Sequence, residues 1–279
     1  MTKIAFQGFH GAYSDLACRA VYPGMETLPC ATFEDAFRAV QEGEADCAMI
    51  PVDNTLAGRV ADVHYLIPRG GLYIIGEHFQ PIRHALMAVR GATVEGLTDV
   101  HSHIHALPQC RKMIRKLELK THVHADTAGA AAKVAADGDR SQAAIASALA
   151  AKLYELDVLI NDVQDADHNT TRFLILSRQP QVPAYTADQP VITSFVFRVR
   201  NLPAALYKAL GGFATNGVNL QKLESYVDEH FQAAQFFCDV EGHPDSPSLK
   251  NALEELEFFA AEVRLVGTYP AHAFRRGMA

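Results

Sequence analysis

Gln179-Pro180-Gln181-Val182-Pro183-Ala184-Tyr185-Thr186-Ala187-Asp188-Gln189-Pro190 carries three prolines in twelve residues and neither a helical nor a strand period. Such a stretch connects elements rather than forming one. It divides the chain. Beyond it the apolar pattern predicts strand (Val191 to Val199), helix (Pro203 to Ala214), strand (Asn219 to Val227), strand (Ala233 to Glu241), helix (Ser246 to Ala260) and strand (Glu262 to Val266). That βαββαβ order is the order of a ferredoxin-like domain.

Before the linker, short apolar runs alternate with helical patterns, as in βα units on a largely parallel sheet. Strands are expected at Ile4 to Gln7, Cys47 to Pro51, Leu72 to Phe79, His84 to Val89, Val100 to Ser102, Thr121 to Val123, Ala143 to Ala146 and Arg172 to Leu176. Helices are expected at Tyr13 to Val21, after Thr32, at about Pro108 to Leu117 and at Thr127 to Ala136. Thr32 with Asp35 reads as a near capping box, and Gly43 falls where a left-handed C-cap belongs. In open α/β sheets a ligand crevice forms where strand carboxyl ends face helix N-termini, so chemistry is sought in those loops.

The 279 residues, 49% of them apolar, suffice for more than one core. A net charge of −7 without a Lys/Arg-rich run gives no footprint for nucleic acid. No apolar run reaches the roughly 20 residues that span a bilayer, and the start at Met1 enters a strand without the pattern of a signal peptide. Five dispersed cysteines, with no Cys-x-x-Cys pair, suggest neither a zinc ribbon nor a disulfide framework. A cytoplasmic location is therefore expected.

Four loops carry concentrated polar chemistry. Asn169-Thr170-Thr171-Arg172-Phe173 sets an amide, two hydroxyls and a guanidinium at the start of a strand, where alternation puts Thr171 and Phe173 on one face and Arg172 on the other. Spacing alone reads this equally as a β-branched strand start with a surface Arg. Pro51-Val52-Asp53-Asn54-Thr55 follows a buried strand and is expected at a helix N-terminus, where capping accounts for one polar residue of three. His10-Gly11-Ala12-Tyr13-Ser14 follows the first strand, but Gly8 and Gly11 do not complete a dinucleotide fingerprint. Asp126-Thr127-Ala128 opens a helix, with Asp126 as its cap and Thr127 facing the crevice.

His101, Ser102, His103, Ile104 and His105, with His122 and His124 further on, pose a separate question. Histidines at i, i+2 and i+4 of a strand share a face and could hold zinc. No Glu or Cys completes a ligand set, so the expectation is no metal, with Ser102 and His103 available instead to an anion at a helix end.

Taken in order, Gly11-Ala12-Tyr13-Ser14, Pro51-Val52-Asp53-Asn54-Thr55, Ser102-His103, Asp126-Thr127-Ala128 and Asn169-Thr170-Thr171-Arg172-Phe173 resemble the prephenate dehydratase family, and the tail resembles the amino-acid-binding ACT domain. The resemblance implies an α/β catalytic domain over residues 1–180, two-lobed and like periplasmic binding proteins. A linker at 181–190 and a ferredoxin-like ACT domain at 191–279 would follow. It implies decarboxylating dehydration of prephenate to phenylpyruvate without a cofactor, Thr171 and Arg172 being catalytic. Tyr13, Ser14, Asp53, Asn54, Thr55, Ser102, His103, Thr127, Asn169 and Phe173 would bind substrate. An L-phenylalanine effector would sit beside Pro203, Ala204, Ala205, Leu206, Asn219, Leu220, Glu224 and Ser225. A homodimer or homotetramer is implied as well.

Departures from the family pattern fall at known places. Asp53 stands where Glu is usual, and Ile104-His105 where Pro-Gln is common. Ala204 replaces a glycine, and Tyr226-Val227 follows Glu224-Ser225 where Arg-Pro is usual. Two other readings stay open: an arogenate dehydratase, and a non-catalytic amino-acid sensor of the same architecture.

Overall fold

The computed structural model describes residues 2–200, 202–227 and 233–278. Contacts group the chain into two compact units, Met1–Val63 with His78–Phe173, and His64–Glu77 with Leu174–Ala279.

In chain order the elements are β1 (Lys3–Gln7), α1 (Tyr13–Val21), β2 (Glu26–Cys30), α2 (Phe33–Glu42), β3 (Cys47–Asn54), β4 (Gly58–Arg59), α3 (Ala61–Leu66), β5 (Tyr73–Pro81), β6 (Ala85–Ala88), β7 (Asp99–His103), α4 (Arg111–Lys116) and β8 (Lys120–His124). There follow α5 (Thr127–Asp137), β9 (Gln142–Ala146), α6 (Ala148–Leu153), β10 (Asp157–Ile160), β11 (Thr170–Ser177), β12 (Val191–Val199), α7 (Ala205–Thr215), β13 (Leu220–Val227), β14 (Ala233–Glu241), α8 (Pro247–Phe259) and β15 (Ala260–Pro270).

The first unit holds an α/β arrangement on two sheets. One runs β11-β3-β1-β2, with β1 parallel to both β2 and β3. The other runs β10-β6-β9-β7-β8, with β7 parallel to β8 and β9 but β6 antiparallel to β9 and β10. The sequence pattern of a parallel sheet thus holds for the βα repeats and fails at β6 and β10. Those strands are fully apolar or short, so periodicity carries no direction for them.

Local chemistry explains the helix ends. Thr32 accepts from the Asp35 amide while the Asp35 carboxylate accepts from the Thr32 amide, a complete capping box, and Gly43 takes a left-handed φ of 84°. Asp126 caps α5 through the Gly129 amide, 2.7 Å away. Gly11 has φ +91°, and a Cβ there would stand 2.8 Å from the Ala150 Cα, so only glycine lets the loop before α1 lie against α6.

The second unit contains β12-α7-β13-β14-α8-β15 on an antiparallel sheet of order β13-β14-β12-β15. Phe195, Phe197, Phe213 and Phe236 fill its core against Leu249 and Leu256. Strand β15 meets β5 at Gly267 and Ile74. A Cβ on Gly267 would lie 2.3 Å from the Ile74 carbonyl oxygen, so side chains are excluded from that approach. Glu77 receives Arg275 through both carboxylate oxygens, at 2.6 and 2.8 Å. Among the described residues no helix is long and apolar enough to cross a membrane, and all five cysteines are free thiols.

Candidate active site

A cleft of about 550 Å³ opens in the first unit between the loops after β1, β3, β7 and β8 and the start of β11. Of the residues singled out in the sequence it is lined by Tyr13, Ser14, Asn54, His103, Thr127, Thr171 and Phe173. Its size suits one small ligand.

Strand β3 runs through to Asn54, turns, and returns as β4, with Asp53 opposite Arg59. Asp53, Asn54 and Thr55 therefore sit at a hairpin and not at a helix N-terminus. The sequence expectation failed because Thr55, Leu56 and Ala57 form a turn into β4, and α3 begins only at Ala61.

The hairpin fixes one side chain firmly. Asn54 Oδ1 accepts from the amides of Leu56 and Ala57 at 2.9 and 2.8 Å, so its Nδ2 is the donor. That nitrogen donates to Asn169 Oδ1 at 2.8 Å and to Thr171 Oγ1 at 2.9 Å. Thr171 thus accepts through its oxygen and keeps its own hydrogen to donate into the cleft.

The polarity propagates further. With Oδ1 accepting, Asn169 Nδ2 donates to Gln109 Oε1 at 2.6 Å, which makes that oxygen an acceptor. His84 Nε2, 3.1 Å from the same oxygen, must then carry a hydrogen. Gln109 Nε2 is left as a donor on a residue that lines the cleft. Burial lowers the His84 pKa from its ordinary value, partly offset by Gln109, so the ring is neutral and its Nδ1 accepts. The Tyr13 hydroxyl donates to the Arg83 carbonyl oxygen at 2.8 Å and lies 2.8 Å from His84 Nδ1, so its one hydrogen faces two acceptors. Burial raises the Tyr13 pKa well above the usual phenol range, with Cys110 adding to it, so this proton stays.

Arg172, Asp53, Thr55, Ser102 and Asn169 do not line the cleft. Arg172 lies on the opposite face of β11 from Thr171, buried, with its guanidinium 3.9 Å from the Asp53 carboxylate. Thr55 donates to the His168 carbonyl and accepts from the Thr170 amide. Ser102 donates to the Ile145 carbonyl at 2.6 Å and is fully buried. These five form the support beneath the lining.

The polar lining residues that went unrecognised in the sequence are Gln7, Arg59, Asp62, His84 and Gln109. Arg59 is the one Lys or Arg among the described lining residues. Its signal was a Gly-Arg pair two residues after Asn54-Thr55, visible only once a hairpin is recognised. His103 and His105 also line the cleft, and the His103 pKa is lowered by burial and by His105, against Asp126. The ends of α1 and α5 add backbone amides, since α1 opens at Tyr13 without a side-chain cap. The histidine trio expected on one strand face does not form, because β7 ends at His103 and His105 lies in the turn beyond it.

In the second unit Pro203 precedes α7, Ala205 and Leu206 open it, and Ala204 takes a left-handed φ of 60°. Asn219 leads into β13, which carries Leu220, Glu224 and Ser225, and Glu224 pairs with Lys222 at 3.2 Å.

The cleft gathers several neutral donors, one arginine and the carboxylates of Asp62 and Asp126, which defines a site for a small polar ligand. The sequence profile of the prephenate dehydratase family matches residues 4–181. The bifunctional N-acyl-homoserine lactone acylase/prephenate dehydratase of Komagataeibacter europaeus is 51% identical over 98% of this chain and 97% of its own. Arogenate dehydratase/prephenate dehydratase 2 of Arabidopsis thaliana is 38% identical over 96% of this chain and 72% of its own. The structure of the Arthrobacter aurescens prephenate dehydratase in complex with L-Phe superposes with a TM-score of 0.87 at 29% identity, over 99% of this chain and 97% of that one. The chain belongs to the prephenate dehydratase family, whose members are decarboxylating hydro-lyases.

Proposed function

We propose that this protein converts prephenate to phenylpyruvate in the cleft described, with Thr171 as the residue that assists departure of the ring hydroxyl. The observation that carries the reading is the hydrogen-bond polarity running from the Asn54 hairpin, which leaves the Thr171 hydroxyl and the Gln109 amide nitrogen as donors. In the reaction the bond to the ring carboxylate breaks, its electron pair enters the ring, the carbon–oxygen bond to the hydroxyl breaks, and carbon dioxide and water leave. One proton must join the departing hydroxyl. A threonine hydroxyl is too weak an acid to give up its own, so Thr171 stabilises the charge on the leaving oxygen by hydrogen bonding while solvent supplies the proton.

The remaining groups orient the dianion. Arg59 offers a fork for one carboxylate, and the amides opening α5 at Thr127, with Gln109 Nε2, serve the other. Tyr13, Ser14, His103 and Phe173 shape the walls. Asp53, Thr55, Ser102, Asn169 and Arg172 act from beneath: Arg172 holds Asp53 and thereby the hairpin that orients Asn54. Purified protein should release phenylpyruvate from prephenate, and the Thr171→Ala variant should not.

Residues 1–180 are read as the catalytic domain with two lobes like those of periplasmic binding proteins, 181–190 as a linker and 191–279 as an ACT domain. The βαββαβ order and the L-Phe in the Arthrobacter aurescens relative support an L-phenylalanine effector near Pro203 to Leu206 and Asn219 to Ser225. The assembly is read as a homodimer or homotetramer in the cytoplasm. A monomer mass in solution would reject the oligomer.

A second reading rests on the 51% identity to the bifunctional Komagataeibacter europaeus relative. Hydrolysis of N-acyl-homoserine lactones, followed by release of homoserine lactone, tests it directly.

A further inference from the structure

Three histidines that do not line the cleft, His101, His122 and His124, come together on β7 and β8. Strands β7 and β8 pair in parallel with His101 opposite His122 and His103 opposite His124. The His101 and His122 rings stack with centroids 4.6 Å apart and planes 15° off parallel. His101 Nδ1 lies 2.8 Å from His124 Nε2.

One carboxylate sets the polarity of this group. Asp99 accepts from Thr98 Oγ1, His122 Nε2 and Gln142 Nε2, and a carboxylate can only accept. His122 Nε2, 2.6 Å from Asp99 Oδ1, therefore carries a hydrogen. Gln142 donates through Nε2 to Asp99 and to Ser141 Oγ, so its Oε1 accepts, and His101 Nε2 at 2.6 Å from it carries a hydrogen too. In their neutral forms both rings are left with the lone pair on Nδ1. Histidines whose far N–H is tied to a carboxylate or amide, leaving the other nitrogen bare, have the outer-shell arrangement found around bound transition metals.

We propose that His101 Nδ1 and His124 Nε2, with His122 Nδ1 brought in by a tilt of its partly exposed ring, bind one first-row divalent cation of the zinc or nickel type. Imidazole suits these ions. Two nitrogens about 2.0 Å from zinc in tetrahedral geometry stand about 3.3 Å apart, so opening the 2.8 Å contact takes a small ring rotation. His124 then moves its hydrogen from Nε2 to Nδ1, and water completes the shell. Asp99 supplies the negative charge behind the ligands, and Asp126 faces His124 as well. Lys133, the opposing charge near His124, is held by Asp137 at 2.6 Å. Such an ion would staple the ends of β7 and β8, whose next residues carry His103 and Asp126–Thr127 into the cleft.

The test is titration of tag-free protein with zinc chloride by calorimetry, with nickel chloride as a second probe. One saturable equivalent is expected in the parent protein and in His103→Ala. His124→Ala, on a partly exposed edge strand, should lose it by at least 100-fold, and Asp99→Asn should weaken it by about 10- to 100-fold. No saturable site in the parent, or a site that survives His124→Ala in protein of unchanged circular dichroism, overturns the proposal. Retention of full affinity in Asp99→Asn overturns the orienting part given to the carboxylate. Neither result bears on dehydration, which is assayed separately.

Discussion

Gln109→Glu isolates the one polarity that the Asn54 hairpin dictates at a distance. The substitution keeps the shape and keeps an oxygen to accept from Asn169 and His84, at 2.6 and 3.1 Å in the parent. It changes only the other terminal atom, from a donor nitrogen to an anionic oxygen. Losing a hydrogen bond to a charged ligand costs about 1.5 to 3 kcal/mol. Setting a carboxylate about 4 Å from a substrate carboxylate, at an effective dielectric of about 20, adds about 4 kcal/mol. The sum, about 5.5 to 7 kcal/mol, lowers kcat/KM by roughly 10⁴- to 10⁵-fold. Folding stability should change by less than about 1 kcal/mol, because both inner donors keep their acceptor. The assay is steady-state turnover of prephenate from neutral to mildly acidic pH, beside thermal melts. Once protonated, the introduced carboxyl can donate again, so activity should recover as pH falls. A loss under tenfold with a large fall in melting temperature would mean that the amide sits the other way up, and the polarity argument would be refuted.

Four further outcomes are expected. Gly267→Ala forces a Cβ against the Ile74 carbonyl and should destabilise the protein by about 1 to 3 kcal/mol, read by urea denaturation. Ala204→Gly relieves the left-handed φ of 60° before α7 and should stabilise by up to about 1 kcal/mol, or leave the midpoint unchanged if the loop gains as much freedom unfolded. His84, His103 and His124 have folded pKa values below the ordinary 6.5; the stability from their neutral forms is complete above that pH and is lost as pH falls through the lower folded values, so melting temperature should drop on acidification below it. Asn54→Ala orphans Asn169 Oδ1 and removes the amide that faces Thr171, which should cost about 1 to 3 kcal/mol in stability together with most of kcat.

The sequence carried the elements whose signals are local. The capping box at Thr32, the αL glycine at Gly43 and the cap at Asp126 appear where residue chemistry puts them. Strand alternation also sorted Thr171 and Phe173 from Arg172 correctly. What it missed is set by pairing between distant segments. β2, Glu26–Cys30, contains Pro29 and a mixed pattern, and is a strand because β1 pairs with it. β10 pairs with β6 through an irregular register that no period encodes. In the site, Gln109 and His84 matter because Asn169, 60 residues from Gln109, fixes the amide between them. Arg59 enters the lining through a two-residue strand that only its pairing with β3 defines. The histidines show the same limit, since counting at i, i+2 and i+4 grouped His101 with His103 and His105, while cross-strand register groups it with His122 and His124.

The most direct measurement is the single-turnover rate of phenylpyruvate formation from prephenate by the parent protein and by Thr171→Val. Valine keeps the branched shape and removes only the hydroxyl to which Asn54 donates. The account predicts a saturable reaction in the parent and a rate at least about 100-fold lower in the variant, with prephenate binding weakened by less than tenfold. A variant that turns over prephenate at the parent rate, or a parent that binds it without releasing carbon dioxide, would contradict it.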